Sequence, residues 1–169
     1  MKTFKEKVAV ITGAGSGMGR YLAVLLAKDG ADVCICDVNQ ETLDETAEML
    51  RKYQVSVSSH LLDVADKESI ESLPQKVIDH HGKIDLVFNN AGVTTGSHFK
   101  DMEEENWNWV MGINFDGVIN STRAFIPHMI DRPEAAIVNT SSIFGMVAVP
   151  GQSVYPVSYT HLRAHETNV

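Results

Sequence analysis

Short runs of consecutive apolar residues alternate along this chain with longer stretches in which apolar side chains return every three or four positions. Runs of the first kind suit strands buried on both faces, and the second pattern suits helices that bury one stripe. Five runs read as strands, at 8–11, 32–36, 55–62, 84–89 and 136–140, and helices are expected over 17–28, 40–53, 67–81 and 103–130. In the first helix Leu22, Leu25 and Leu26 share a face, and Gly30 is a good terminating residue. The fourth opens with Asp101 and Glu104 at capping-box spacing and is expected to bury Trp107, Val110, Met111 and Val118. Strands alternating with helices predict an α/β fold built on a doubly wound parallel sheet with helices on both faces.

Composition narrows the setting. With 169 residues, 44% hydrophobic and 21% charged, the chain reads as one globular domain, and it shows no repeat, low-complexity segment or Pro/Gly-rich linker. A net charge of −8 argues against nucleic acid or an anionic membrane as partner. No stretch approaches the roughly 18 apolar residues of a membrane span. Met1-Lys-Thr-Phe-Lys-Glu-Lys7 runs straight into a strand, with no apolar secretion signal, so a cytoplasmic location is expected. Cys34 and Cys36, two apart on a strand, point to one face and read as small core residues in a reducing compartment rather than a redox or metal pair.

The first strand runs into Thr12-Gly-Ala-Gly-Ser-Gly-Met-Gly19 and then directly into a helix. Glycines here let the backbone turn tightly and approach a pyrophosphate, whose charge is met by amides at the helix N-terminus. Gly13, Ser16, Gly17, Met18 and Gly19 are thus the first candidate cofactor contacts. Arg20 reads as a solvated helix residue rather than a phosphate ligand. Asp37 closes the second strand eighteen residues beyond Gly19, where its carboxylate can accept hydrogen bonds from the adenosine ribose hydroxyls. A 2′-phosphate there would meet like charge, and neither Ser16 nor Val38 is basic. NAD(H) is the expected cofactor.

The glycine spacing resembles the TGxxxGxG form of the classical short-chain dehydrogenase/reductase family rather than that of its extended relatives, the sugar epimerases. Further segments carry the same resemblance. Asp63-Val64 looks like the family's adenine-contacting pair, and Asn89-Asn90-Ala91-Gly92 resembles its NNAG motif, which stabilises the sheet and lines the cofactor groove. Asn114 stands where the family has a catalytic Asn, and Ser142 precedes Tyr155 by the family's thirteen residues. The resemblance implies hydride transfer between NAD(H) and a small-molecule alcohol or carbonyl substrate, with Tyr155 giving or taking the proton. Ser142 would hold the substrate oxygen, and Asn114 a water of the proton relay. The apolar segment 143–154 would form part of the substrate wall. Relatives are commonly dimers or tetramers, so the full protein is expected to be a homo-oligomer. Two further strands follow the tyrosine in the family, which implies a sheet incomplete after the fifth strand, with an exposed edge and a marginally stable or aggregation-prone chain.

One position departs from the pattern. Four residues after Tyr155, where the family has a lysine, the chain has Tyr159. A free tyrosine has a pKa near 10, so only about one in a thousand is ionised at pH 7, and a cation one helical turn away would favour the phenolate. Tyr159 carries no such charge, which implies an inactive chain as it stands. Residues 157–167 resemble, over eleven consecutive positions, one reading frame of a transposon-derived sequencing adaptor. The expected organisation is therefore 1–155 as the N-terminal part of an NAD-binding domain and 156–169 as a non-native tail, set aside from fold reasoning. His161 and His165 beside Glu166 superficially suggest a zinc helix but lack the HExxH order, and no metal is expected. A non-catalytic dinucleotide-binding protein and an interaction module are the alternatives to the enzyme.

Overall fold

The structure, a computed structural model, describes residues 3–147 and 149–162, apart from the side chain of His161. Five strands, β1 (Val8–Thr12), β2 (Asp32–Asp37), β3 (Val57–Leu61), β4 (Leu86–Asn89) and β5 (Ala136–Asn139), pair in parallel in the order β3-β2-β1-β4-β5. Helices α1 (Gly17–Lys28), α2 (Gln40–Leu50) and α3 (Lys67–His81) make the first crossovers. A longer rod leads to β5 and consists of α4 (Glu104–Met111), a π turn (Gly112–Asp116) and α5 (Gly117–Met129). After β5 come a 3-10 turn (Ile143–Gly145) and α6 (Val154–Leu162). The winding reverses between β1 and β4, the switch point outside which ligands settle in open α/β sheets.

Period-two alternation sends the strand residues to two helix layers. Val8, Val10, Cys34 and Cys36 pack under Ile70, Leu73 and Val77 of α3 and Phe125 of α5. Ala9, Ile11, Val33 and Ile35 pack under Ala23, Leu26 and Ala27 of α1 and Leu43 of α2. β1 is buried along its whole length, which fixes the strand that feeds the glycine-rich loop. At its other end the Asp85 carboxylate accepts from the Val8 amide (2.9 Å) and Arg132 (2.7 Å) and pairs with Lys83 (3.5 Å). Burial alone would raise the Asp85 pKa, but these partners hold it below the usual carboxylate range.

Several expectations need correction. Leu25 is 41% exposed, because the buried stripe of α1 runs through Gly19, Ala23, Leu26 and Ala27, whose small members let the helix approach the sheet closely. No capping box forms at α4: Asp101 ends a 3-10 turn (Phe99–Asp101), Met102 is extended, and Glu103 becomes the N-cap without a side-chain bond. Val110 and Val118 are buried, whereas Trp107 and Met111 are half-buried. β5 pairs only with β4 and leaves Ala136, Val138 and Asn139 exposed. Cys34 and Cys36 are buried with their Sγ atoms 4.0 Å apart. His165 and Glu166 lie outside the described residues, as does the rest of the tail beyond Leu162.

Candidate functional site

At the carboxyl ends of β1, β2 and β4 lies a cleft of about 370 Å³. Its floor is the loop after Thr12. Gly13 holds φ at +65°, a conformation L side chains rarely adopt, and a Cβ at Gly19 would lie 2.1 Å from the Gly13 carbonyl oxygen. Close approach of backbone to backbone therefore dictates glycine at both places. Gly13, Ser16, Gly17, Met18 and Gly19 all line the cleft, with Ser16 as the N-cap of α1 and its side chain making no capping bond. Amides at a helix start left without side-chain partners suit an anionic group.

Asp37 closes one end of the cleft. Its Oδ2 accepts from the Gly15 amide (2.8 Å) and its Oδ1 from the Asn39 amide (3.1 Å). Those bonds fix the carboxylate and leave each oxygen a lone pair for a hydroxyl donor. Arg20 is neither solvated nor aimed at the cleft. It donates to Thr46 Oγ1 (2.9 Å), the Thr42 carbonyl (3.1 Å), Glu45 (2.8 Å) and the Gly15 carbonyl, strapping the glycine loop to α2. Those partners lie up to 26 residues away, beyond the reach of local pattern.

Across the cleft, Asp63, Val64, Asn90, Ala91 and Gly92 form the other wall. Asp63 caps its own turn through the Ala65 amide (2.9 Å), and Val64 packs on Gly117, where a Cβ would meet it at 2.9 Å. Thr12 joins this wall to the floor: its buried Oγ1 accepts from the amides of Asn90 (3.0 Å) and Ala91 (3.1 Å) and donates to Phe88 (3.3 Å). Asn89 faces the opposite way, into the sheet, accepting from Ser121 (2.6 Å) and donating to Asn139 (2.8 Å). Val38, Leu62, Val93 and Ile113 also line the cleft. Sequence reading passed over them, although the first three are chain neighbours of residues it picked.

The three residues expected to do chemistry lie outside that lining. Asn114, on the π turn, is fully buried: its Oδ1 accepts from the Val93 amide (2.8 Å), and its Nδ2 donates to the Val93 carbonyl (2.9 Å) and Ser158 Oγ (3.2 Å). Both amide protons are engaged. Ser142 caps the 3-10 turn, its Oγ accepting from the Phe144 amide (3.2 Å). Phe144 meets the Tyr155 ring edge-on at 6.1 Å between centroids, so the turn joins Ser142 to Tyr155. Tyr155 and Tyr159 lie one turn apart on α6 with centroids 4.9 Å apart. Tyr159 is buried against Val118 and Leu162, and burial together with Tyr155 pushes its phenol pKa well up. Helix α6 thus carries residues 156–162 onward from Tyr155 in one regular element.

Residues 7–161 match the family model described as short chain dehydrogenase. An oxidoreductase of Mycobacterium tuberculosis, SadH, is 42% identical over 160 residues, covering 92% of this chain and 56% of its own length. The 3-oxoacyl acyl-carrier-protein reductase FabG of Thermotoga maritima is 38% identical over 152 residues, 90% of this chain and 62% of its own. Among solved structures, a short chain dehydrogenase/reductase of Burkholderia phymatum in complex with NAD superposes with a TM-score of 0.93 at 37% identity, covering 97% of this chain and 59% of that one. The chain thus spans a little over half the length of the relatives it matches.

Proposed function

The chain belongs to the short-chain dehydrogenase family, and from that premise we propose that its cleft binds NAD(H) for interconversion of a secondary alcohol and a ketone. The observation carrying this reading is that all eleven residues expected to hold the cofactor line one cleft at the switch point. The fit is chemical as well as spatial: a floor that a Cβ would fill, free helix-start amides for a diphosphate, and the Asp37 carboxylate for ribose hydroxyls.

When bound, NAD(H) would supply or take up the hydride. The protein's part is the proton on the substrate oxygen, held at the Tyr155 hydroxyl while Ser142 Oγ fixes that oxygen. To accept the oxygen's hydrogen bond, Ser142 would have to share its hydroxyl with the Phe144 amide it caps. Asn114, with its amide protons committed to Val93 and Ser158, would act on a relay water through its backbone carbonyl or after releasing Ser158. With Tyr159 uncharged at the position of the family's lysine, no cation lowers the Tyr155 pKa, and the chain as it stands is proposed to be inactive. We keep residues 156–169 as an adaptor-like tail in this proposal, with 1–155 as the family region. Small-molecule substrate and a homo-oligomeric full protein belong to the same proposal.

The buried, neutral Tyr159 favours a second reading, a non-catalytic dinucleotide-binding protein. A chain continued past Tyr155 with a family-like half and a lysine at position 159 separates the two. NAD+ reduction with secondary alcohols, abolished by Tyr155→Phe, supports the enzyme, and binding without turnover supports the alternative. In the same protein Asp37→Ala is expected to relax selectivity toward NADP(H), and unchanged selectivity would overturn the cofactor reading.

A further inference from the structure

We infer that Tyr159 closes the cleft just beyond Gly92, so that the chain as it stands takes adenosine diphosphate at least as tightly as NAD+. The inference rests on the nucleotide reading of the cleft and adds which part of a dinucleotide the site accepts.

Asp37 and the glycine loop bound the cleft at one end, and Gly92 and Val93 bound it at the other. The acid–base groups lie past that second end. A dinucleotide seated on the loop would have to pass Gly92 to bring its reactive ring to Tyr155. Tyr159 stands in this passage: a Cβ built on Gly92 would lie 2.8 Å from its hydroxyl oxygen, while its ring meets that of Tyr155 at 4.9 Å. One side chain therefore touches both the last residue of the cleft and the residue expected to move the proton. The room that glycine leaves at 92 is taken up by the phenol.

The phenol is also held in place. Tyr159 is 5% exposed, packs with Val118 and Leu162, and has Gly145 against its backbone, where a Cβ would meet the Tyr159 carbonyl oxygen at 2.9 Å. Its neighbour Ser158 accepts from Asn114, tying the same turn of α6 to the π turn. Swinging the ring away would return it to water and loosen that contact. The adenosine end has no comparable obstruction. Its loop amides and the Asp37 carboxylate are already placed for a diphosphate and a ribose, so the adenosine diphosphate part can bind without moving α6.

Calorimetric titration of the unmodified chain with ADP and with NAD+ tests the inference directly and needs no variant. ADP equal to or tighter than NAD+ is the expected result. NAD+ binding about tenfold or more tighter than ADP would overturn the inference while leaving the nucleotide site standing. Binding of neither would overturn both. In Tyr159→Ala the affinity for NAD+ should rise about tenfold with that for ADP unchanged, because a clash acts only on the ligand that meets it. Tyr159→Phe keeps the ring and should keep the preference. A folded Tyr159→Ala chain with no gain for NAD+ would remove Tyr159 from the explanation.

Discussion

The cleft and the tyrosine end of this molecule are built in opposite ways. Every wall of the cleft springs from a strand end, and β1 beneath it is wholly buried between two helix layers. The tyrosine end rests on a 3-10 turn and one short helix, anchored by a small cluster of Val118, Tyr159 and Leu162. A binding surface assembled from strand ends inherits the stability of the sheet, whereas a surface carried by an appended helix has only its own contacts. The difference predicts a cleft that persists when the tyrosine end comes loose.

Breaking the shared foundation should give the largest effect. Phe125 is fully buried in the core between α5 and the sheet, and Phe125→Ala is expected to cost about 3–5 kcal/mol and to melt both regions together. A denaturation curve in which one region survives would break the comparison. Leu162→Ala acts only on the appended helix. It should cost about 2 kcal/mol, the low end for such truncations because a peripheral site can collapse. Amide exchange should quicken in α6 while ADP affinity stays within about twofold.

Thr12→Val sharpens the contrast from the other side, since it strips partners from two amides of the cleft wall. A loss of about 1–2 kcal/mol in stability is expected, with ADP binding weakened and exchange in α6 unchanged. The smallest effect is a pH dependence far from either region. Burial, and then the neighbouring His80, bring the His81 pKa down to about 4 from 6.5. An unfolded chain takes up this proton first as pH falls, so this group's contribution is intact above about 6.5 and is lost progressively down to about 4. His81→Asn should flatten urea stability across that window, and an unchanged slope would count against it.

The same contrast explains what could be read from the sequence. Strand and helix order was legible because buried parallel strands need near-continuous apolar runs, and the cleft was legible because contact between backbones permits little besides glycine at 13 and 19. Asp37 was legible from its place at a strand end. Arg20 was not, since its four partners come from the loop and from α2, which the chain brings together only on folding. The placing of Leu25 failed because helical spacing names a stripe without saying that small residues would claim it. At the tyrosine end, the spacing of Ser142 and Tyr155 carried a pattern, but the burial of Tyr159 depends on Gly92, Gly145 and Val118, none of them near it in sequence.

The π turn at Gly112–Asp116 sets a length that the chain must keep. A π turn carries one residue more than the α-helical path it replaces, and each residue turns an α-helix by about 100°. The surplus residue offsets the inward stripe of α5 from that of α4, letting α4 lie against α6 while α5 lies against α3. Deleting one residue within 112–116 would let the rod straighten into uninterrupted α-helix and rotate α5 by about that angle, carrying Phe125 out from under the sheet. Substitutions in this turn can be absorbed one side chain at a time, but a change of count there becomes a change of facing for everything downstream.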